Sequence, residues 1–229
     1  MRGKFICLMG LDGSGKTTLV KETIRRFKAR GVDFQYVWGA YELNLLRPLV
    51  VWGKKILLKD RQPETYQDYL ASLHTVGENR FLSMGYQAAV LLEYLVQILC
   101  KVWLPYMRGR NIISDRYIFD TLINTKVNLH LTEAAMFRMM RVLLQFLPAP
   151  DRLIFIDVPE EVAYARKTDT PSLDYLRVRR PLYQKVAAAY RASTVDGTKP
   201  VAEIVTWGEG QVPEVPAISS RNHFSRALQ

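Results

Sequence analysis

The chain has 229 residues, 48% of them hydrophobic and 24% charged, and a formal net charge of +10. This is the size of one domain with at most a small appendage, with ample apolar material for a buried core. Cys7 and Cys100 are expected as buried packing residues and not as a disulfide, which suits a cytoplasmic location. The first strand begins within about five residues of Met1, and no signal peptide is expected.

That strand is a short apolar run, Lys4 to Met9. It leads into Gly10-Leu11-Asp12-Gly13-Ser14-Gly15-Lys16-Thr17, which satisfies the phosphate-loop pattern G-x-x-x-x-G-K-[S/T] at every defined position. A helical pattern follows from Thr18 to Arg30, with Leu19, Val20, Ile24 and Phe27 on one side. Strand, glycine turn and helix N-terminus together make an anion site. Gly10, Gly13, Ser14, Gly15, Lys16, Thr17 and Thr18 present backbone to a nucleotide's phosphates, and the helix dipole adds a favourable field. Lys16 is expected at the β- and γ-phosphates and the Thr17 hydroxyl on Mg²⁺, which makes ATP and Mg²⁺ the expected cofactors.

A second strand is predicted from Asp33 to Trp38. Between Trp38 and Arg108 the pattern is helical. Tyr41 to Lys59 is amphipathic and broken near Pro48 and Gly53. Tyr86 to Met107 is nearly apolar and approaches the roughly 20 residues of a membrane span. Glu93, Gln97 and Lys101, however, fall at i, i+4 and i+8, a polar stripe that a lipid-facing helix carries only at a cost. A core helix with its stripe facing a cleft is expected, with no membrane partner, and the apolar face is a candidate homodimer interface. Strands three, four and five are predicted at Asn111–Ser114, Arg152–Asp157 and about Ala202–Thr206. The alternation predicts a five-stranded, parallel, doubly wound α/β sheet flanked by helices, with ligands at the carboxyl ends of the strands. Residues 1–207 are expected to form the domain. Residues 208–229, with breakers at Gly210, Pro213 and Pro216, are expected to be loop or a loosely docked tail.

Asp115-Arg116-Tyr117 follows strand three directly. Asp115 stands where a Mg²⁺-associated carboxylate is needed beside a phosphate loop. Arg116 is expected in the cleft, because its planar fork matches phosphate oxygens. Asp157, at the end of strand four, is a competing carboxylate read as mainly structural. The next helix reaches Arg166-Lys167 and breaks at Thr168-Asp169-Thr170-Pro171-Ser172 before a new helix from Leu173 to Tyr190. This break, about 166–174, suits a short helical lid whose basic residues neutralise transition-state charge. Seven basic residues and two acids lie between Arg166 and Arg191, half of the chain's net excess. The cluster fits phosphate clamping as well as it fits nucleic acid, and nucleic acid is not the expected partner.

The order of these motifs resembles the thymidylate kinase family of phosphate-loop nucleoside-monophosphate kinases, over roughly residues 3 to 205. The matching pieces are Gly10 to Thr18 and Ile112-Ile113-Ser114-Asp115-Arg116-Tyr117. Pro150 to Val158 and Arg180-Pro181-Leu182-Tyr183 support them. The resemblance implies transfer of the γ-phosphoryl of ATP to a nucleoside monophosphate, with dTMP the leading acceptor. It implies Asp12 near the acceptor and lid arginines, Arg166 and then Arg177 or Arg180, at the moving phosphoryl group. Acceptor-side candidates are Asp12, Arg47, Arg80, Glu93, Gln97 and Tyr117.

Two departures bear on the acceptor. Where the family carries an Arg-Glu-Pro-Gly run after strand two, this chain has Trp38-Gly39-Ala40-Tyr41-Glu42. No arginine stands about twenty residues before Asp115, where Leu92-Glu93-Tyr94-Leu95 occurs. Deoxynucleoside kinases are similar around Ser114 to Phe119, but they carry a Glu-Arg-Ser run before the strand where this chain has Gly109-Arg110-Asn111. The alternatives are a kinase of another nucleoside, nucleotide or small molecule, and an ATP-binding protein without kinase activity.

Overall fold

The computed structural model describes residues 2–40, 92–167 and 170–211. Five strands, β1 (Phe5–Gly10), β2 (Phe34–Trp38), β3 (Asn111–Asp115), β4 (Arg152–Asp157) and β5 (Ser193–Asp196), form one sheet in the order β2-β3-β1-β4-β5. Every pairing is parallel. All six residues of β1 are buried, as its apolar composition requires of the central strand of a sheet covered on both faces.

Among the described residues the helices are α1 (Lys16–Ala29), α2 (92–107), α3 (Ile118–Asn128), α4 (Glu133–Phe146), α5 (Glu160–Arg166), α6 (Leu173–Ala189) and α7 (Val201–Gln211). Helices α1 and α7 pack on each other, while α3 and α6 pack together and against β1. This is the doubly wound α/β arrangement of phosphate-loop NTPases. Because β3 lies between β1 and β2, the chain's direction of winding reverses beside β1. The turns after β1 and β3 therefore open into one crevice, where ligands of such sheets bind. Register sets their depth: Asp115 pairs with Leu8 and with Trp38, so the end of β3 lies just below the loop that follows Gly10.

Three expectations are corrected. The fifth strand is Ser193–Asp196, and the apolar run read as a strand at 202–206 belongs to α7. Ile204 and Val205 are buried, and with Val201 they fit helical spacing as well as an apolar strand run. Helix α7 also carries past residue 207 to Gln211, where Glu209 pairs with Arg30 at 3.1 Å and with Arg26 at 3.8 Å. The remainder of the expected tail lies outside the described residues. Finally, Cys100 is exposed on α2, whereas Cys7 is buried in β1.

Helix α2 is turned with its polar stripe inward. Glu93 and Gln97 are buried, and Leu92, Val96, Leu99, Trp103 and Met107 are exposed. The helix widens to a π turn over Leu99–Trp103. Pro105 supplies the cause, since its ring lacks an N–H and crowds the carbonyl four residues back. No helix among the described residues is long and apolar enough to cross a membrane.

Candidate functional site

The loop after β1 depends on glycine at its bends. Gly13 and Gly15 have φ of 82° and 90°, a region that L side chains rarely adopt. A Cβ on Gly13 would also fall 2.1 Å from the Ala163 carbonyl oxygen, so helix α5 braces the loop from the β4 side. Helix α1 begins at Gly15 with no side-chain cap and no acid in its first turn. Its first N–H groups and the positive end of its dipole thus face the loop.

Lys16 is almost fully buried and folds over this loop. Its Nζ donates to the carbonyls of Gly10 (2.8 Å) and Leu11 (2.6 Å) and to Ser14 Oγ (3.2 Å). Burial, with the Arg116 guanidinium nearby, pushes its pKa down to about 8. Next to it the Thr17 hydroxyl donates to Asp115 Oδ2. Asp115 is 1% exposed, and its other oxygen, Oδ1, is buried without a hydrogen-bond partner. A buried, unsatisfied carboxylate oxygen beside a threonine hydroxyl fits a hard cation or a water on it. Among such cations, Mg²⁺ takes one or two protein oxygens and draws the rest from phosphate and water.

Arg116 stands at the centre of the crevice with φ of 76°, a positive value at a residue other than glycine. Its backbone is held on both sides. The amide donates to the Leu8 carbonyl at 3.0 Å, and the carbonyl accepts from Ser114 Oγ at 2.5 Å. Gly39 follows β2 and lies so close that a Cβ there would sit 2.1 Å from the same carbonyl. The guanidinium bridges two carboxylates. Nη2 donates to Asp12 Oδ1, and Nη1 donates to Asp120 Oδ1 at 3.3 Å. Asp120 is 1% exposed and also accepts from the Tyr183 hydroxyl at 2.8 Å.

Asp12 gathers donors from both sides of the crevice. Beside Arg116, Lys167 Nζ lies 3.5 Å from Oδ1, and the Tyr175 hydroxyl donates to Oδ2 at 3.3 Å. Burial alone would raise the Asp12 pKa, but Arg116, Lys16 and Lys167 hold it below its ordinary value. Tyr175 is itself fixed from behind. Arg179 stacks on its ring with Cζ 3.5 Å from the centroid and bonds to Asn124, Asn128 and the Tyr175 carbonyl. Lys167, at the end of α5, and Tyr175, in the first turn of α6, thus both reach the phosphate loop.

The structure brings Asp12, Lys16, Thr17, Asp115 and Arg116 together. It sends other candidates elsewhere. Arg166 donates to the Gly197 carbonyl at 2.8 Å, in the turn after β5, so Lys167 and not Arg166 meets Asp12. Arg180 is clasped by Asp157 and Glu160, both at 2.9 Å, and Arg177 by Asp174 and Glu161. Tyr117 turns into the core, where it is fully buried, bonds to the Pro148 carbonyl and packs edge-on against Phe5. An acceptor contact from Tyr117 is therefore withdrawn. Glu93 and Gln97 are buried neighbours, with Gln97 Nε2 3.5 Å from Glu93 Oε1, and Tyr94 beside them donates to the Gly39 carbonyl. Arg47 and Arg80 lie outside the described residues. Sequence reasoning placed Lys167 in the basic break after α5 and Tyr183 in a matching run, but missed their contacts with Asp12 and Asp120, and it missed Tyr175 and Asp120 altogether.

No family model matches the chain. It is 23% identical over 191 residues to a probable thymidylate kinase of Pyrococcus abyssi, covering 83% of this chain and 82% of that one. It is 26% identical over 209 residues to the probable thymidylate kinase 1 of Saccharolobus solfataricus, covering 88% and 93%. It is 24% identical over 223 residues to the thymidylate kinase of Latilactobacillus sakei, covering 90% and 92%. The similarity spans most of each protein, and the chain is thymidylate kinase-like along that length.

Proposed function

We propose that this thymidylate kinase-like chain is a Mg²⁺- and ATP-dependent kinase that transfers the γ-phosphoryl group to a nucleoside monophosphate, with dTMP the first acceptor to test. The observation that carries the reading is the buried Asp115 oxygen without a partner, set beside Thr17 at a complete phosphate loop. ATP supplies the phosphoryl group and Mg²⁺ its charge neutralisation. The chain's own part is positioning and electrostatics, which is most of what phosphoryl transfer asks of a protein. The loop from Gly10 to Thr18 binds the donor phosphates. Lys16 leaves the carbonyls of Gly10 and Leu11 for phosphate oxygens, and Thr17 and Asp115 hold the metal. Arg116 supplies a planar cation to the moving group. Asp12 helps place the acceptor, and its bonds to Lys167 and Tyr175 draw the lid toward the site.

The acceptor is the more open half, because the Arg-Glu-Pro-Gly run is absent and Gly39 instead serves the close approach to Arg116. A homodimer through the exposed stripe of α2 and a cytoplasmic location belong to the same reading. The test is ADP release from Mg²⁺·ATP against dTMP, dUMP, the other monophosphates, the free nucleosides and a blank. Stimulation by dTMP supports the full reading, and stimulation by another compound redefines the acceptor. Lys16→Ala should abolish turnover, and Arg116→Ala should lower kcat by about 10²-fold or more, the scale of one lost transition-state donor. Tight ATP binding with no stimulation by any acceptor would replace the kinase reading with a nucleotide-binding protein.

A further inference from the structure

Arg116 sits between two carboxylates of unlike character. Asp12 lies on the phosphate loop with its side chain 20% exposed, where an incoming phosphate can displace it. Asp120 lies on the first turn of α3 with its side chain 2% exposed, where nothing from solvent can reach it. The two also differ in support. Asp12 is met by Lys167, which is 40% exposed, and by the Tyr175 hydroxyl at 3.3 Å. Asp120 is held by Tyr183, a fully buried residue of α6 in the core of the sheet, stacked on Phe155 of β4. A second buried carboxylate beside a polyphosphate site opposes anion binding, and its burial raises its own pKa. A group with that electrostatic cost needs a local use, and among the described residues the charged partner it touches is the Arg116 guanidinium.

We propose that Asp120, steadied by the Tyr183 hydroxyl, is a positioning residue for Arg116: it grips Nη1 from the core side, so that the guanidinium keeps its orientation when Asp12 gives way to phosphate. Asp12 is then the exchangeable partner and Asp120 the permanent one. The positive φ at Arg116 fits this division, since it marks the turn from β3 into α3, across which the side chain reaches Asp120 in the first turn of that helix. Holding a cation before the reacting group arrives is the preorganisation that makes such charges effective. The inference rests on the kinase reading for its consequence in turnover, but the contact itself can be tested without any acceptor.

The experiment uses the full chain with ¹⁵N-labelled arginine. The Arg116 guanidinium resonances, assigned by their loss in Arg116→Lys, are compared in wild type, Asp120→Asn and Tyr183→Phe. A guanidinium held at two points rotates slowly and gives a shifted, resolved signal. Asp120→Asn is expected to collapse it toward the solvent-exposed arginines, and Tyr183→Phe to move it part of the way with the fold intact. In turnover, Asp120→Asn is expected to lower kcat by roughly tenfold with the KM for ATP within about twofold, and to have less than about a twofold effect in an Arg116→Ala background, because its action passes through Arg116. An unmoved Arg116 signal in both variants overturns the proposal. So does an equal fractional loss of kcat with and without Arg116, which marks a role in the fold alone. A moved signal supports the grip even in a protein for which no acceptor is found, so failure of the kinase reading and failure of this inference remain distinct.

Discussion

Asp12 is the residue at which the phosphate loop meets Arg116, Lys167 and Tyr175, and its ionisation can be followed separately from turnover. Arg116, Lys16 and Lys167 outweigh burial and hold its carboxyl below the ordinary 3.8. The folded state then binds fewer protons than the unfolded state near that pH. The ionised Asp12 therefore contributes stability that is fully present above 3.8 and is lost as pH falls through its lower folded value. Asp120 has the opposite sign, because burial raises its pKa, and protonation at low pH relieves the folded state. Melting temperature against pH separates the two. Wild type is expected to melt above Asp12→Asn at pH 7, with the gap closing below pH 3.8. A gap that stays constant down to about pH 2.5 would show that Asp12 stabilises the fold by shape and not by charge.

The elements nearest the site were legible because local chemistry and the global fold agree there. The phosphate loop is a contiguous motif flanked by the strand and helix it needs, and Asp115-Arg116 marks the end of β3 on the strength of the same logic. The contacts of Lys167 and Tyr175 with Asp12 were not legible, since these residues stand at the end of α5 and in the first turn of α6, far along the chain, and meet Asp12 only in the folded protein. At the far edge the sequence misled. Ser193–Asp196 is too short to stand out, and the apolar pattern of α7 contains Gly208 and Gly210, the second of which reads as a breaker. Those glycines have a measurable consequence. A Cβ at Gly208 or Gly210 would meet nothing within 4 Å, and neither residue has a positive φ. Glycine inside a helix costs about 0.5–1 kcal/mol relative to alanine. Gly208→Ala and Gly210→Ala should each raise stability by that amount, or about 1–4 °C in Tm for a chain of this size. An unchanged or lowered Tm in both would mean that α7 does not persist beyond Trp207.

At the scale of the whole molecule, the +10 charge invites a polyanion partner, and the fold pairs most of the cations in the basic stretch from Arg166 to Arg191 with its own groups. In the basic stretch from Arg166 to Arg191, Arg177 faces Glu161 and Asp174, Arg180 faces Asp157 and Glu160, and Lys185 faces Glu133 at 2.7 Å. Lys167 lies on Asp12, Arg166 on the Gly197 carbonyl, and Arg179 is buried against Asn124, Asn128 and Tyr175. The acids that answer these cations come mainly from other elements, so the local excess of this stretch is offset in space while the net charge of the chain stays at +10. Salt dependence decides whether the remainder acts as a nucleic-acid surface. A groove engaging five phosphates would give log K a slope near −4.5 against log salt on duplex DNA, with binding strong at about 50 mM salt and gone by about 200 mM. A fluorescent duplex titrated over that range should show weak binding with a slope smaller in magnitude than about 2, and it should leave ADP release unchanged. A slope near −4.5, together with ATP hydrolysis that rises with added duplex, would overturn the small-acceptor reading, because the cations paired in this fold would then have to exchange their carboxylates for phosphates.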